Sequence, residues 1–139
     1  MDVHHCLICL GSNYEYGKRL EAARQALKLH FPDIVFGKEM ETEAIGGTWL
    51  SPFGNQLAKF STHLSAEEIR FILKQIEKDN GRMSEDKSQG IVKLDIDLLM
   101  YDDDILKPDD MKRDFIKQGL KELLSVITQT NYPILRSLP

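Results

Sequence analysis

Residues 93–101, Lys93-Leu94-Asp95-Ile96-Asp97-Leu98-Leu99-Met100-Tyr101, put two carboxylates inside a run that otherwise reads as a buried β-strand. Alternate side chains on a strand share a face, so Leu94, Ile96, Leu98 and Met100 line one side while Asp95 and Asp97 stand together on the other. Neighbouring anions repel, one of the two pKa values rises, and partly buried charge is costly unless matched. A divalent cation resolves the conflict, because Mg²⁺ is held by one or two carboxylates with its remaining positions left to water and substrate phosphates. The plainer alternative is an edge strand with one wet face, its acids bonded to lysines such as Lys93.

The 139 residues suit one core and are too few for two ordinary domains, so a single domain is expected. A net charge of −4 argues against broad binding to nucleic acid or to an anionic membrane, yet leaves room for a small basic pocket. The start Met1-Asp2-Val3-His4-His5 lacks the basic and long apolar regions of a signal peptide, which points to the cytoplasm. Cys6 and Cys9 form a C-x-x-C within a strand-like run, where a three-residue offset sends them to opposite faces as core residues rather than a redox or zinc pair.

In chain order, residues 3–10 read as a central strand buried on both faces, and Gly11-Ser12-Asn13 turns it towards a helix over 16–30 that Pro32 stops. Residues 33–44 have strand character. A glycine-bounded loop with Trp49 and Phe53 follows, long enough to close over something, and Asn55 leads into a strand over 56–63. An amide suits the edge of a heterocycle, and also caps turns. Ser65-Ala66-Glu67-Glu68 is a capping box opening a helix that Gly81 closes. The polar stretch 81–90 reads as a flexible loop whose Arg82 and Lys87 can swing towards phosphates. Asp102-Asp103-Asp104 reads as a solvated turn, and Asp109 or Asp110 caps a last helix through 126 with Ile116, Leu120, Leu123 and Ile127 as its stripe. The order β, α, β, β, α, β, α fits an α+β fold, a ferredoxin-like αβα sandwich with a four-stranded, mainly antiparallel sheet.

Leu10-Gly11-Ser12-Asn13, Thr42 before a glycine loop, Phe53-Gly54-Asn55, Ile76-Glu77 with Gly81-Arg82, and Leu94-Asp95-Ile96-Asp97-Leu98 stand in an order and spacing that resembles the 6-hydroxymethyl-7,8-dihydropterin pyrophosphokinases. The resemblance runs from about residue 5 to residue 125. It implies a folate-pathway enzyme, ATP as donor, a reduced pterin alcohol as acceptor and two Mg²⁺ ions; a monomer is favoured, and no nucleic-acid or membrane partner is expected. It further implies that Asp95 and Asp97 are the metal ligands and, with Arg82, the catalytic set. Thr42, Ile45, Phe53, Asn55 and Phe115 would take the pterin. Lys74, Gln75, Glu77, Lys87 and Arg113 would face the nucleotide.

The chain departs from that pattern where Ser84, Gln89 and Val92 stand in place of an arginine, a tryptophan and an arginine, and around Lys107-Pro108-Asp109, where a segment is missing. Three readings follow: an active pyrophosphokinase, a pterin- or nucleotide-binding relative without turnover, and a plain interaction domain.

Overall fold

The computed structural model describes the backbone of residues 2–43 and 52–130 and the side chains of 2–43 and 52–124. Strand β1 (His4–Ser12) is followed by helix α1 (Tyr16–His30), two short strands β2 (Val35–Phe36) and β3 (Met40–Thr42), and the long strand β4 (Phe53–Thr62). Helix α2 (Ala66–Asp79), strands β5 (Asp95–Tyr101) and β6 (Asp104–Ile105), and helices α3 (Pro108–Met111) and α4 (Asp114–Thr130) complete it. The fold is α+β, with an antiparallel sheet in the order β2-β4-β1-β5-β6 and β3 paired to the same strand, β4, as β2.

Among the described residues the sheet has six strands rather than the expected four. One addition comes from a bulge. Phe36 pairs with Ala58 and Met40 with Asn55, so three residues face two and the run breaks into β2 and β3. Gly37 stays tied in, donating its N–H to the Leu57 carbonyl at 2.8 Å. The other addition is the hairpin strand β6, entered through Asp102 at φ 54. Asp102 holds the turn by accepting from the His5 N–H at 2.8 Å and meeting His4 Nδ1 at 2.7 Å.

Helices α1 and α2 cover one sheet face through Leu20, Ala23 and Leu27 and through Ile69, Leu73 and Ile76. Ile116 and Leu123 of α4 cover the other. The capping box of α2 is present, with the Ser65 hydroxyl accepting from Glu68 N–H and the Glu68 carboxylate accepting from Ser65 N–H. The expected last helix is two helices. Pro108 starts α3, where a missing N–H costs nothing, and Lys112-Arg113 separates it from α4. Gly119 lets α4 lie close on the sheet, since a Cβ there would come within 2.8 Å of Leu57 Cδ1.

Leu94, Ile96 and Leu98 share the α1–α2 core as alternation requires, but Met100 belongs to the α4 side. Leu7 pairs with Met100 and Ile8 with Leu98, so Leu99 is an extra residue and the alternation shifts there. Cys6 and Cys9 are free and lie towards opposite cores, in line with their spacing. Burial pushes both thiols up, Cys6 to about 12, which leaves them poor nucleophiles. Among the described residues no helix is long and apolar enough to cross a membrane.

Candidate active site

Among the described residues β6 pairs only with Met100 and Tyr101 and no strand pairs the outer side of the first half of β5, the half that carries Asp95 and Asp97. Two cavities meet there. One, of about 450 Å³, lies on the sheet face beneath α3 and the start of α4; the other, of about 460 Å³, lies over the open edge beside the second half of α2. Asp95 and Asp97 line both.

The face cavity has the makings of a slot for a flat heterocycle. Phe53 and Phe115 are both in its wall, and Asn55 and Thr42 supply polar groups. The Asn55 amide donates to Thr42 Oγ1 at 2.7 Å, and its carbonyl oxygen lies over Gly11, where a Cβ would stand 3.3 Å away. Glycine at that position therefore makes room for the amide. Arg113, expected on the nucleotide side, lines this cavity and also the one that Lys87 faces, its guanidinium 4.6 Å from the Phe115 ring centre. The break between α3 and α4 puts it there. Glu43, Asp110 and Cys9 also reach this cavity; sequence reasoning passed over the last two because Asp110 reads as a helix cap and Cys9 as core. Ile45 and Trp49 lie outside the described residues.

Around the edge cavity, the Glu77 carboxylate accepts from the Ile96 N–H at 2.8 Å and meets Arg82 at 3.2 Å, tying the end of α2 to β5. Burial raises the Glu77 pKa, with Arg82 and the Ile96 N–H opposing it. Arg82 also donates to Asp95 Oδ1 at 2.9 Å and to the Leu94 carbonyl at 3.1 Å. Lys74 lines this cavity; Gln75 does not, and bonds Asp79 on the outer surface of α2 instead. Successive helix positions lie about 100° apart, so Lys74 and Gln75 do not share a face. Arg70, Lys78 and Lys107 line it as well. Lys87 faces a third cavity of about 390 Å³ that also touches Arg82, Arg113 and Asp95.

Burial first, and the adjacent Asp95 charge second, push Asp97 up to about 7. Lys107 stands 3.8 Å from it. Lys93 is no partner of the acids: it donates to the Gly81 carbonyl at 3.0 Å and meets Asp86 at 3.5 Å, bracing the loop before β5. Two carboxylates, half-exposed on one strand face and crowding one another's charge, are a donor set that fits Mg²⁺ shared with substrate phosphates. Among the described residues no group of three or more potential protein ligands is assembled, so the pair makes no all-protein cage.

Asn13 fastens this loop to β1. Its amide donates to the Gly90 carbonyl at 2.8 Å, its side-chain oxygen accepts from Val92 N–H at 2.6 Å, and its own N–H donates to the Val92 carbonyl. Asn13→Ala is expected to destabilise the chain by about 2–4 kcal/mol, as a buried and a half-buried partner lose their bonds. Amide exchange over residues 82–92 should accelerate while that of β1 and β4 slows or speeds only with global stability. Unchanged loop protection would show the tether to be dispensable.

The family model described as 7,8-dihydro-6-hydroxymethylpterin-pyrophosphokinase matches residues 7–125 of this chain.

Proposed function

Because the chain belongs to the 7,8-dihydro-6-hydroxymethylpterin-pyrophosphokinase family, we propose that it transfers the pyrophosphoryl group of ATP to 6-hydroxymethyl-7,8-dihydropterin, a step of folate biosynthesis. The observation that carries this reading is the meeting of two cavities at one pair of carboxylates. The sheet order, with β4 between β1 and the parallel β2, supports the ferredoxin-like description of the scaffold.

In this reading the pterin enters the face cavity between Phe53 and Phe115, its edge towards Asn55 and Thr42. The donor phosphates lie in the edge cavity. The acceptor hydroxyl oxygen attacks the β-phosphorus, the bond from that phosphorus to the α-phosphate oxygen breaks, AMP leaves, and the hydroxyl proton goes to solvent. Asp95 and Asp97 would hold Mg²⁺, which supplies charge neutralisation on the phosphate oxygens. Arg82, already against Asp95, is within reach of the same oxygens, and Glu77 positions it. Positioning and exclusion of water carry the rate, since no covalent step on the protein is needed.

A second reading, ligand binding without turnover, is favoured by Ser84, Gln89 and Val92. Each missing arginine–phosphate contact is worth roughly 1.5–3 kcal/mol, so two missing contacts amount to about a hundred- to ten-thousandfold. The test is AMP formation from ATP. The pyrophosphokinase reading expects AMP only when magnesium and hydroxymethyl-dihydropterin are both present. Thermal stabilisation by the pterin and ATP with no AMP would replace it by the second reading.

A further inference from the structure

Each acid of the pair on β5 is met by a cation, Asp95 by Arg82 at 2.9 Å and Asp97 by Lys107 at 3.8 Å. The two cations are held differently. Arg82 is fixed by three acceptors, since it also donates to the Leu94 carbonyl and meets Glu77. Among the described residues the Lys107 ammonium meets Asp97 alone, and half of its side chain is exposed. Its backbone has less freedom. Only Leu106 and Lys107 join β6 to α3, where the sequence is shorter than the pattern it resembles. The Leu106 N–H donates to the Leu99 carbonyl at 2.8 Å, the Lys107 carbonyl accepts from the Met111 N–H at 3.1 Å, and Pro108 follows. This short link keeps a swinging cation on a fixed stem at the wall of the edge cavity, beside Asp97.

A metal ion on a carboxylate lies about 2 Å from its oxygen, so Mg²⁺ on Asp97 and the ammonium where it stands would be like charges within roughly 6 Å. At that range, even in water, a divalent and a monovalent cation repel by enough to lower affinity about tenfold. The local charges agree. Asp95, Asp97 and Glu77 face Arg82 and Lys107, which leaves a bare divalent ion little net negative charge to bind. Phosphate oxygens in the same cavity reverse that balance, because they accept from the ammonium once it has left Asp97.

We propose that Lys107 is a resident competitor for the divalent cation at Asp97, yielding its place to a cation that arrives with phosphate and not to the bare ion. The proposal rests on the reading of Asp95 and Asp97 as metal ligands and of the edge cavity as the donor side. Lys107 positions the metal step without touching the reacting atoms, and its effect has opposite signs for the two forms of the cation. A lysine that only braced α3 would affect both forms alike.

The test begins with Mn²⁺, which suits the same oxygen ligands, titrated into the full chain without nucleotide and followed by loss of the free-ion electron paramagnetic resonance signal. Lys107→Met is expected to bind Mn²⁺ about tenfold more tightly than the wild type, and Lys107→Arg, which keeps the charge, to match the wild type. Calorimetry with the magnesium complex of ATP, without pterin, should move the other way, Lys107→Met binding it roughly three- to tenfold more weakly. Lys107→Gln should follow Lys107→Met in both measurements. The α3 start uses the Lys107 carbonyl and not its side chain, so these variants keep the fold. Lys112→Met removes the same charge outside both cavities and should stay near wild type in both. Mn²⁺ binding that Asp97→Asn abolishes but Lys107→Met leaves unchanged would overturn the proposal and keep the metal reading. So would an equal gain in Lys112→Met, or tighter binding of the magnesium–ATP complex by Lys107→Met. Absence of Mn²⁺ binding in every form would remove the metal reading together with the proposal.

Discussion

Asp97→Asn is expected to lower AMP formation by on the order of a thousandfold, about 4 kcal/mol in transition-state stabilisation, while making the protein more resistant to heat in the presence of a chelator. The two effects come from the same cause. Burial and the Asp95 charge hold the Asp97 carboxyl at about 7, well above its ordinary value of 3.8. An acid held above its unfolded value takes up a proton on folding, so its contribution to stability is complete below about pH 4 and is lost as pH rises through about 7. Removing the ionisable group removes that loss. At pH 8 with chelator a rise of roughly 3–6 °C in Tm corresponds to about 1 kcal/mol for a chain of this size. The wild type should melt at progressively lower temperature between about pH 4 and pH 7, the window between the ordinary and the raised pKa, and the variant should lack this component. An active Asp97→Asn, or one with lower Tm at pH 8, would show that the carboxylate is structural and that its position on the wall of two cavities is incidental.

Lys59→Met should stabilise the chain by about 2–3 kcal/mol at pH 7, a gain larger than most single substitutions give. Lys59 is 1% exposed, on the Leu57 side of β4 by alternation, and its Nζ has no hydrogen-bond partner among the described residues. Burial draws its pKa down from 10.5 to about 8. Below about pH 8 the folded chain must carry a buried ammonium, and between about 8 and 10.5 the unfolded chain binds more protons than the folded one, so stability rises with pH across that window. Methionine fills similar space without charge. Urea titrations at pH 7 and pH 10 read the result: the variant should lead clearly at the lower pH and by little at the higher. A constant difference, or a less stable variant, would mean that the amine is better solvated than its surroundings indicate.

Where the sequence made a local pattern, the structure follows it. Helix α1 spans Tyr16–His30 as expected, and the Ser65–Glu68 box caps α2. The pattern fails where one residue is inserted. The extra residue at Leu99 moves Met100 to the other core, and the extra residue between Phe36 and Met40 makes two strands of one. Bulges leave no mark on hydrophobic alternation until the partner strand is known. The site was legible to the same extent. Asp95, Asp97 and Arg82 come together, and Thr42, Phe53, Asn55 and Phe115 line one cavity. Arg113 stands between the face cavity and the one that Lys87 faces because the break before α4 is set by Pro108 and its neighbours, and Gln75 turned away because one step along a helix is a change of face. Arg70 was hidden for the opposite reason, since a lone exposed arginine on a helix is ordinary until its cavity is seen.

The common wall formed by Asp95 and Asp97 leaves the two compartments electrically dependent. On the proposed reading, a cation-bearing triphosphate settling on one side would change the field felt by a heterocycle on the other, and whatever factor it imposed on that affinity would have to be returned in equal measure.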